Sequence, residues 1–219
     1  AAFMAATLSS DMDNTDTVKI FYEDAVGPAN KLKMLGPDIN ASGYRFEPVD
    51  RETIRYGLGA VKGTGQQAVE CILAAREQDG PFKDLFDFCL RVDKRMVNRR
   101  TIEALIRAGA FDVLDPTPVP GAAANRHKLL ATVGVAMEFA EQAERNALQT
   151  SLFDTGPAAE EHAPQYVAVQ PWDEKERLMQ EKLALGFFFS GHPYNACKAE
   201  MVRFVRRSHG LYCRNHPGL

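Results

Sequence analysis

The chain has 219 residues, of which 45% are hydrophobic and 25% charged, as is usual for a folded protein of one large or two small domains. Its net charge of −3 excludes a global basic field, so any attraction to nucleic acid must be local. No apolar run approaches the roughly 18 residues of a membrane span, and we expect no membrane partner. The four cysteines form no CxxC pair and are typical of the reduced thiols of a cytosolic protein.

The first quarter of the chain combines helical and turn-forming patterns. Residues 1–34 are predicted to be helical, because apolar residues such as Val18 and Phe21 recur at helical spacing. The connector "GPDINASG" at 36–43 is rich in residues that favour a break. Apolar and polar residues then alternate, which predicts a small β-hairpin near 44–58.

A pattern of helix, tight turn and helix occurs twice between residues 56 and 112, which indicates an internal duplication. The helices are predicted at 66–78, 82–92 and 99–108. Asn98 is a suitable N-cap for the last of them, and Gly109 is a suitable residue just beyond its end. The fold class is therefore mainly α, with short helices, a small hairpin and an extended linker.

The glycine-rich loop "GTGQQA" at 63–68 has one interpretation as a nucleotide-binding loop of an α/β enzyme. Gly63, Gly65 and Ala68 fit the pattern GxGxxA, and Asp84 or Asp87 would supply the acidic residue about 20 positions on. The pattern needs a buried strand directly before it. The segment "YGLGAVK" is a poor strand, and the chain shows no run of βαβ units.

A second interpretation is a helix-hairpin-helix whose loop N–H groups bind one phosphate of a DNA strand. Between residues 55 and 110 ten basic and seven acidic residues give a local charge of +3. A third interpretation is a turn without a ligand, and a cation cluster is often only a solvated face. The candidate DNA-binding residues are Lys62, Gly63, Thr64 and Gly65 in the first hairpin and Asn98, Arg99 and Arg100 in the second.

Proline and acidic residues dominate the next part of the chain. The segment "LDPTPVPGAAA" at 114–124 is predicted to be a linker, and a helix is predicted at about 126–147. Residues 137–164 carry six acidic residues and one basic residue, so we expect this stretch to be exposed and loosely ordered. A last helix is expected at about 172–185.

Several motifs, in this order over about residues 3–207, resemble the alpha subunit of bacterial DNA polymerase III, the replicative C-family polymerase. They are "SSDMDNTDTV", "GPDIN.SGY.F", "RYGLGAVKGTGQQAVE.I..AR...GPFKDLFDFC.R", "NRRTIEALIRAGAFD" and "EK.ALGFFFSGHP". Several long motifs in the right order are far more specific than the glycine loop alone.

The resemblance implies a division of the chain into parts. Residues 1–50 would be the end of the fingers domain, 51–113 a tandem helix-hairpin-helix domain, 114–171 a linker helix and acidic loop, and 172–207 a helical connection toward an OB-fold, whereas 208–219 depart from the family. The polymerase and histidinol-phosphatase domains would lie upstream. We therefore expect no catalytic residue and no cofactor in this chain, and Mg²⁺ would serve the parent polymerase. The carboxylates of "DMDN" at 11–14 are expected to cap helices.

The resemblance also gives a role to "QTSLF" at 149–153, because the family's internal clamp-binding motif has the form Q-x-x-L-F. Gln149 would bond at the rim of a pocket on the sliding clamp (the beta subunit), and Leu152 and Phe153 would fill it. Ser151 would help to turn the peptide, and Thr150 lies between them. The alternative is an apolar pair that closes the preceding helix. Implied partners are duplex DNA, the clamp and other subunits of the polymerase III holoenzyme.

Metal sites are not expected. His209, Cys213 and His216 offer three potential ligands, but they lie on a tail that has no other sign of structure. His192, in "SGHP", is expected to cap or pack in a turn. The expected function is therefore positional: duplex DNA is held by its backbone, without sequence readout, and the polymerase is tethered to its clamp.

Overall fold

A computed structural model describes residues 1–115, 125–153 and 164–194, with side chains described except at 148–153. Within these residues the fold is mainly helical with one small sheet, as the sequence predicts, and no helix has the length and apolar character to cross a bilayer. The tail at 208–219 lies outside the described residues.

The elements are α1 (Ala2–Ser10), α2 (Thr15–Val26), β1 (Lys33–Leu35), β2 (Glu47–Pro48), β3 (Thr53–Arg55), α3 (Gln66–Asp79), α4 (Leu85–Arg91), α5 (Arg99–Ala108), α6 (Arg126–Phe153) and α7 (Glu174–Leu185), with 3₁₀ turns at Leu58–Ala60 and Asp112–Leu114.

Side-chain caps set the ends of several helices. The Oδ1 atom of Asn98 accepts the N–H of Thr101 at 3.1 Å, so that α5 begins where the sequence predicts. Gly109 ends the same helix in the left-handed region, with φ at +92°, where a side chain would be strained. Asn14 caps α2 by accepting the N–H groups of Asp16 and Thr17, so the "DMDN" segment acts as a helix junction.

The sheet contains the predicted hairpin and one strand that the sequence did not predict. β2 pairs antiparallel with β3, so that Pro48 lies opposite Ile54, and the hairpin near 44–58 is confirmed. β1 pairs parallel with β3 on its other side, with Met34 opposite Ile54. The helical expectation for residues 1–34 is therefore wrong at its end, because β1 forms only through hydrogen bonds to a partner about 20 residues away.

A single hydrophobic core joins the described parts of the chain. Its largest fully buried aromatic side chains are Tyr56, Phe88 and Phe111. The ring of Phe88 contacts Phe82 and Phe111, each at a centroid distance of 4.9 Å, and so joins α4 to the end of α5. Residues of α1, α6 and the segment after α7 complete the core, so the segments assigned to fingers, hairpins and connection pack together.

Helix α6 is longer than the sequence predicts. The helix predicted at about 126–147 is confirmed and continues to Phe153, so the expectation of a loosely ordered stretch is wrong where it overlaps this helix. The core holds the helix as far as Ala140: Ala136 and Ala140 are fully buried, and the ring of Phe139 meets that of Phe86 in α4. Beyond Ala140 the described side chains of the helix are exposed or half-buried, so this part extends past the core.

A buried polar network joins α5, α6 and α7. The guanidinium of Arg126 makes a bidentate pair with Asp112, with its Nε atom 2.7 Å and its Nη2 atom 2.6 Å from the two carboxylate oxygens. Its Nη1 atom donates to the carbonyl of Arg107 at 3.2 Å and to Glu181 at 3.4 Å. Glu181, only 1% exposed, also accepts the backbone N–H groups of Phe189 and Ser190 at 2.8 and 2.7 Å.

The change Glu181→Gln is expected to lower the free energy of unfolding by roughly 3 kcal/mol, because it leaves a buried guanidinium with one carboxylate partner fewer and turns an acceptor into a mixed donor and acceptor. Urea unfolding followed by circular dichroism would measure this. Glu174→Gln, on the exposed first turn of the same helix, is the matched control and should cost only a few tenths of a kcal/mol. Equal unfolding midpoints for the two variants would contradict the role of the network.

Candidate nucleic-acid interface

The first hairpin consists of the 3₁₀ turn Leu58–Ala60, the loop that contains the glycines, and α3. The hydroxyl of Thr64 is buried within the loop and lies 2.7 Å from the carbonyl of Leu58 and 2.6 Å from that of Val61. The two hydrogen bonds of the buried Thr64 hydroxyl therefore stabilise the conformation of the loop. Gly63, with φ at +83°, supplies the left-handed residue that the turn requires.

Gly65 lies at an open approach to the amino-terminal end of α3. A Cβ atom added there would meet no heavy atom within 4 Å, and the φ of −75° suits any residue. Neither packing nor backbone conformation therefore explains the glycine. As the N-cap, Gly65 provides no side chain to cap α3, and no acidic residue lies in the first turn. The first-turn N–H groups, which have no partner within the helix, thus lie next to a glycine whose outer side is open, an arrangement that suits an anion.

The dinucleotide interpretation lacks the strand that it requires. β3 ends at Arg55, and a 3₁₀ turn lies between that strand and Gly63. The parallel strands β1 and β3 are joined through β2, without a crossover helix. The arrangement that places a pyrophosphate between strand and helix is therefore not formed around this loop.

The second hairpin, formed by α4, the loop at 92–98 and α5, has the predicted order but a different loop chemistry. Asn98 caps α5, so the N–H of Thr101 already has an acceptor. Arg99 is paired with Glu103, the Nε to Oε1 distance being 2.8 Å. Arg100 is exposed and pairs with no acidic group among the described residues. In this hairpin Arg100 is thus more available than Arg99 to bind a phosphate.

The two hairpins touch through Thr101 and Gly63, because the hydroxyl of Thr101 lies 3.5 Å from the carbonyl oxygen of Gly63. Helix α7 touches the first loop as well. The backbone N–H of Lys62 donates to the carbonyl of Ala184 at 2.8 Å. No local pattern in the sequence indicates this contact, because its two residues lie far apart in the chain.

Most of the cations counted between 55 and 110 serve the fold. Arg76 donates to the carbonyls of Ile39 and Ser42, and Arg91 donates to those of Ala75 and Gly80. The remaining engaged cations pair with acidic side chains: Lys94 with Glu144, Arg95 with Asp93, and Arg99 and Arg107 with Glu103. Within the described residues, the exposed cations of this stretch that have no acidic partner are Lys62, Lys83 and Arg100.

Comparison with known proteins gives this geometry a context. A family model described as a helix-hairpin-helix motif matches residues 31–118. The DNA polymerase III subunit alpha of Neisseria meningitidis serogroup B is 49% identical over 201 residues, which are 92% of this chain and 17% of that protein. The DNA polymerase III alpha subunits of Pseudomonas aeruginosa and Escherichia coli K12 are 43% and 39% identical to this chain, each over 94% of its length.

The chain matches a segment of the DNA polymerase III alpha subunit. The resemblance inferred from the sequence motifs is thereby confirmed. The chain spans 17% or 18% of the length of these curated relatives. The helix-hairpin-helix model covers both hairpins and also β1, and the division at residue 51 that the resemblance implies stays a prediction.

The segment "QTSLF", for which the resemblance implies clamp binding, forms the end of α6. The backbone of residues 149–153 is helical up to Phe153, whereas their side chains lie outside the described set. Glu144, one turn before the motif, pairs with Lys94 of the second hairpin at 3.1 Å. The helix that carries the motif is thus joined directly to that hairpin.

Other candidate residues have structural roles or lie outside the described residues. The Nδ1 atom of His192 accepts the N–H of Tyr194 at 3.2 Å, as expected for a capping residue in a turn. Burial raises the pKa of the Cys89 thiol to about 12, so it stays protonated at neutral pH. No group of three potential metal ligands occurs within the described residues, and His209, Cys213 and His216 lie outside them.

The two loop glycines are expected to respond differently to alanine. Gly63→Ala should lower the free energy of unfolding by about 1 kcal/mol, because alanine is strained at positive φ. Gly65→Ala should leave it unchanged or raise it by a few tenths of a kcal/mol, since φ is ordinary and the space is open. Thermal unfolding of the two variants would measure both effects. A loss at position 65 as large as that at 63 would show that Gly65 is needed for the fold.

Proposed function

We propose that this chain holds duplex DNA by its backbone within a replicative polymerase and tethers that polymerase to its sliding clamp. The observation that carries the DNA part is the open, uncapped start of α3 behind a loop that Thr64 holds rigid. Free N–H groups, the positive end of a helix and the exposed Lys62 lie together there. All three favour an anion over a neutral ligand.

The expected anion is a phosphate of the DNA backbone. Phosphate contacts position a protein on the duplex and carry no sequence information, which suits a polymerase that must move along any template. Lys62 and Gly65 supply the first contact, with Gly63 and Thr64 shaping the loop. Arg100 supplies a second contact, and Asn98 orders the turn before it. Arg99, paired with Glu103, is expected to contribute less.

The clamp part of the proposal depends on "QTSLF" at the end of α6. Support comes from the family resemblance and from the position of the motif on a helix that extends past the core. Leu152 and Phe153 are the proposed anchors, and Gln149 is the proposed rim contact. Attachment to a clamp that encircles the same DNA raises the effective concentration of the polymerase at the primer end, which accounts for processive synthesis.

The activity of the complete subunit is part of the same proposal. The relatives are named as alpha subunits of DNA polymerase III, so we propose that the whole protein is a DNA-directed DNA polymerase, a nucleotidyltransferase that uses Mg²⁺. Other holoenzyme subunits and a cytoplasmic location follow from that role. The residues described here have no part in the proposed chemistry.

Replacing Lys62 and Arg100 by glutamine is expected to weaken duplex binding and to reduce the slope of log K against log salt by about 2, since each lost phosphate contact accounts for roughly 0.9. Fluorescence anisotropy with a labelled primed duplex, repeated over a range of salt concentrations, would measure the slope. Gly65→Ala should weaken binding without a change of charge. Lys33→Gln, at an exposed lysine on the sheet, is the matched control. An unchanged slope in the double variant would show that Lys62 and Arg100 contact no phosphate and that the hairpins have only a structural role.

Replacing Leu152 and Phe153 by alanine is expected to lower the affinity for a bacterial sliding clamp by more than about 100-fold, because two buried anchors are lost. Surface plasmon resonance with immobilised clamp would test this in the absence of DNA. The control is Leu183→Ala, at a side chain that is 64% exposed elsewhere on the surface. Equal affinity of the two variants would refute the clamp assignment.

A further inference from the structure

The last turn of α7 lies at the same end of the molecule as the two hairpin loops. Three contacts establish this. The hydroxyl of Thr101, in the first turn of α5, lies 3.5 Å from the carbonyl oxygen of Gly63. The N–H of Lys62 donates to Ala184 near the end of α7 at 2.8 Å. Further along, the Nε atom of Arg107 donates to Gln180 at 3.0 Å. Helices α5 and α7 are therefore antiparallel, with the start of α5 beside the end of α7.

This arrangement brings exposed cations from three elements to one end of the helix pair. Lys62 comes from the first loop, Arg100 from the first turn of α5 and Lys182 from the last turn of α7. None of the three pairs with an acidic group among the described residues. The ammonium of Lys182 lies 4.9 Å from the centre of the Phe188 ring, a contact that leaves its N–H donors available to a second partner.

The end of a helix is normally unfavourable for an anion, because its last carbonyls are partly negative. Here the carbonyl of Ala184 accepts the N–H of Lys62, and that of Lys182 accepts the N–H of Gly186 at 2.8 Å. These two hydrogen bonds satisfy two of the carbonyls in the last turn of α7. The acidic neighbour in this turn, Glu181, is 1% exposed and paired with Arg126 in the interior.

Gly186 keeps the first loop and α7 in close contact. It adopts φ of +91°, and a Cβ atom there would lie 3.2 Å from the Cε atom of Lys62 and 2.8 Å from the Cβ atom of Thr15. The stem of Lys62 therefore passes over the residue that ends α7. Lys62 and Lys182 accordingly lie on two elements that touch at Gly186, although 120 residues separate them in the sequence.

We propose that α7 is the third element of the DNA-binding surface and that Lys182 contacts a backbone phosphate next to the one bound at the glycine loop. This inference rests on the proposed function of the hairpins. According to this inference, α7, which follows the predicted linker at 114–171, contacts the duplex directly. The ligand class is the phosphodiester backbone of duplex DNA, recognised through charge alone.

The test compares five forms of the full 219-residue chain: the unchanged protein, Lys182→Gln, Lys182→Arg, Lys175→Gln and Lys62→Gln. Lys175 is the matched control, because it is an exposed lysine on the same helix, about two turns and 10 Å from Lys182. Binding to a labelled primed duplex is measured by anisotropy over a range of salt concentrations. Circular dichroism melts confirm that each variant is folded, and Lys182→Arg should retain binding.

Lys182→Gln is expected to lower the salt slope by about 0.9 and the affinity about fivefold at 0.15 M salt, whereas Lys175→Gln changes neither. Equal losses in the two variants would overturn the inference, because they would show a diffuse effect of net charge. A loss in Lys62→Gln without a loss in Lys182→Gln would also overturn it and leave the hairpin proposal standing. No loss in any variant would overturn both.

Discussion

The position of the last helix depends on one buried carboxylate. Glu181 is almost completely enclosed and receives two backbone N–H groups of the segment after α7, the hydroxyl of Ser190 and the guanidinium of Arg126. Burying such a charge is unfavourable unless its oxygens are fully bonded, and here they are. Because the partners come from different parts of the chain, the network holds α5, α6 and α7 together in the observed arrangement. The contact of α7 with the glycine loop follows from that arrangement.

The glycine loop combines internal rigidity with external openness. The bonds of the Thr64 hydroxyl lie within the loop, while the space outside Gly63 and Gly65 is unoccupied by the protein. A rigid loop loses little conformational entropy when it binds an anion. Such preorganised contacts with a uniform backbone suit a protein that must hold DNA tightly and release each position without discrimination.

Local patterns predicted much of the fold. The bounds of α5 followed from Asn98, Gly109 and the amphipathic run between them, and the hairpin followed from alternation. β1 did not follow, because it forms only by pairing with β3, and the continuation of α6 past residue 147 did not follow from its acidic sequence.

The candidate site was predictable in part, for the same reason. The glycine loop and its phosphate chemistry could be inferred from local residues, and the family resemblance narrowed the alternatives. The charge count could not separate Arg91, which is bonded to two carbonyls and stacked on Phe82, from the unpaired Arg100. Whether a cation serves the fold or a partner depends on what lies beside it, and the neighbours of these arginines come from distant parts of the sequence.

The attachment of α6 to the second hairpin, through the contact of Phe139 with Phe86 and the ion pair between Lys94 and Glu144, determines how the end of the helix is held. A motif on a flexible linker samples a broad volume, and its reach depends on the length of the linker. The last part of α6 instead extends from Ala140 to Phe153 as a helix of roughly 20 Å. Such a helix acts as a stiff arm fixed at its base to the second hairpin. The number of residues in this part of α6 sets how far its end lies from the core. It also sets the direction in which the last side chains point, because each added residue turns the end of the helix by about 100°.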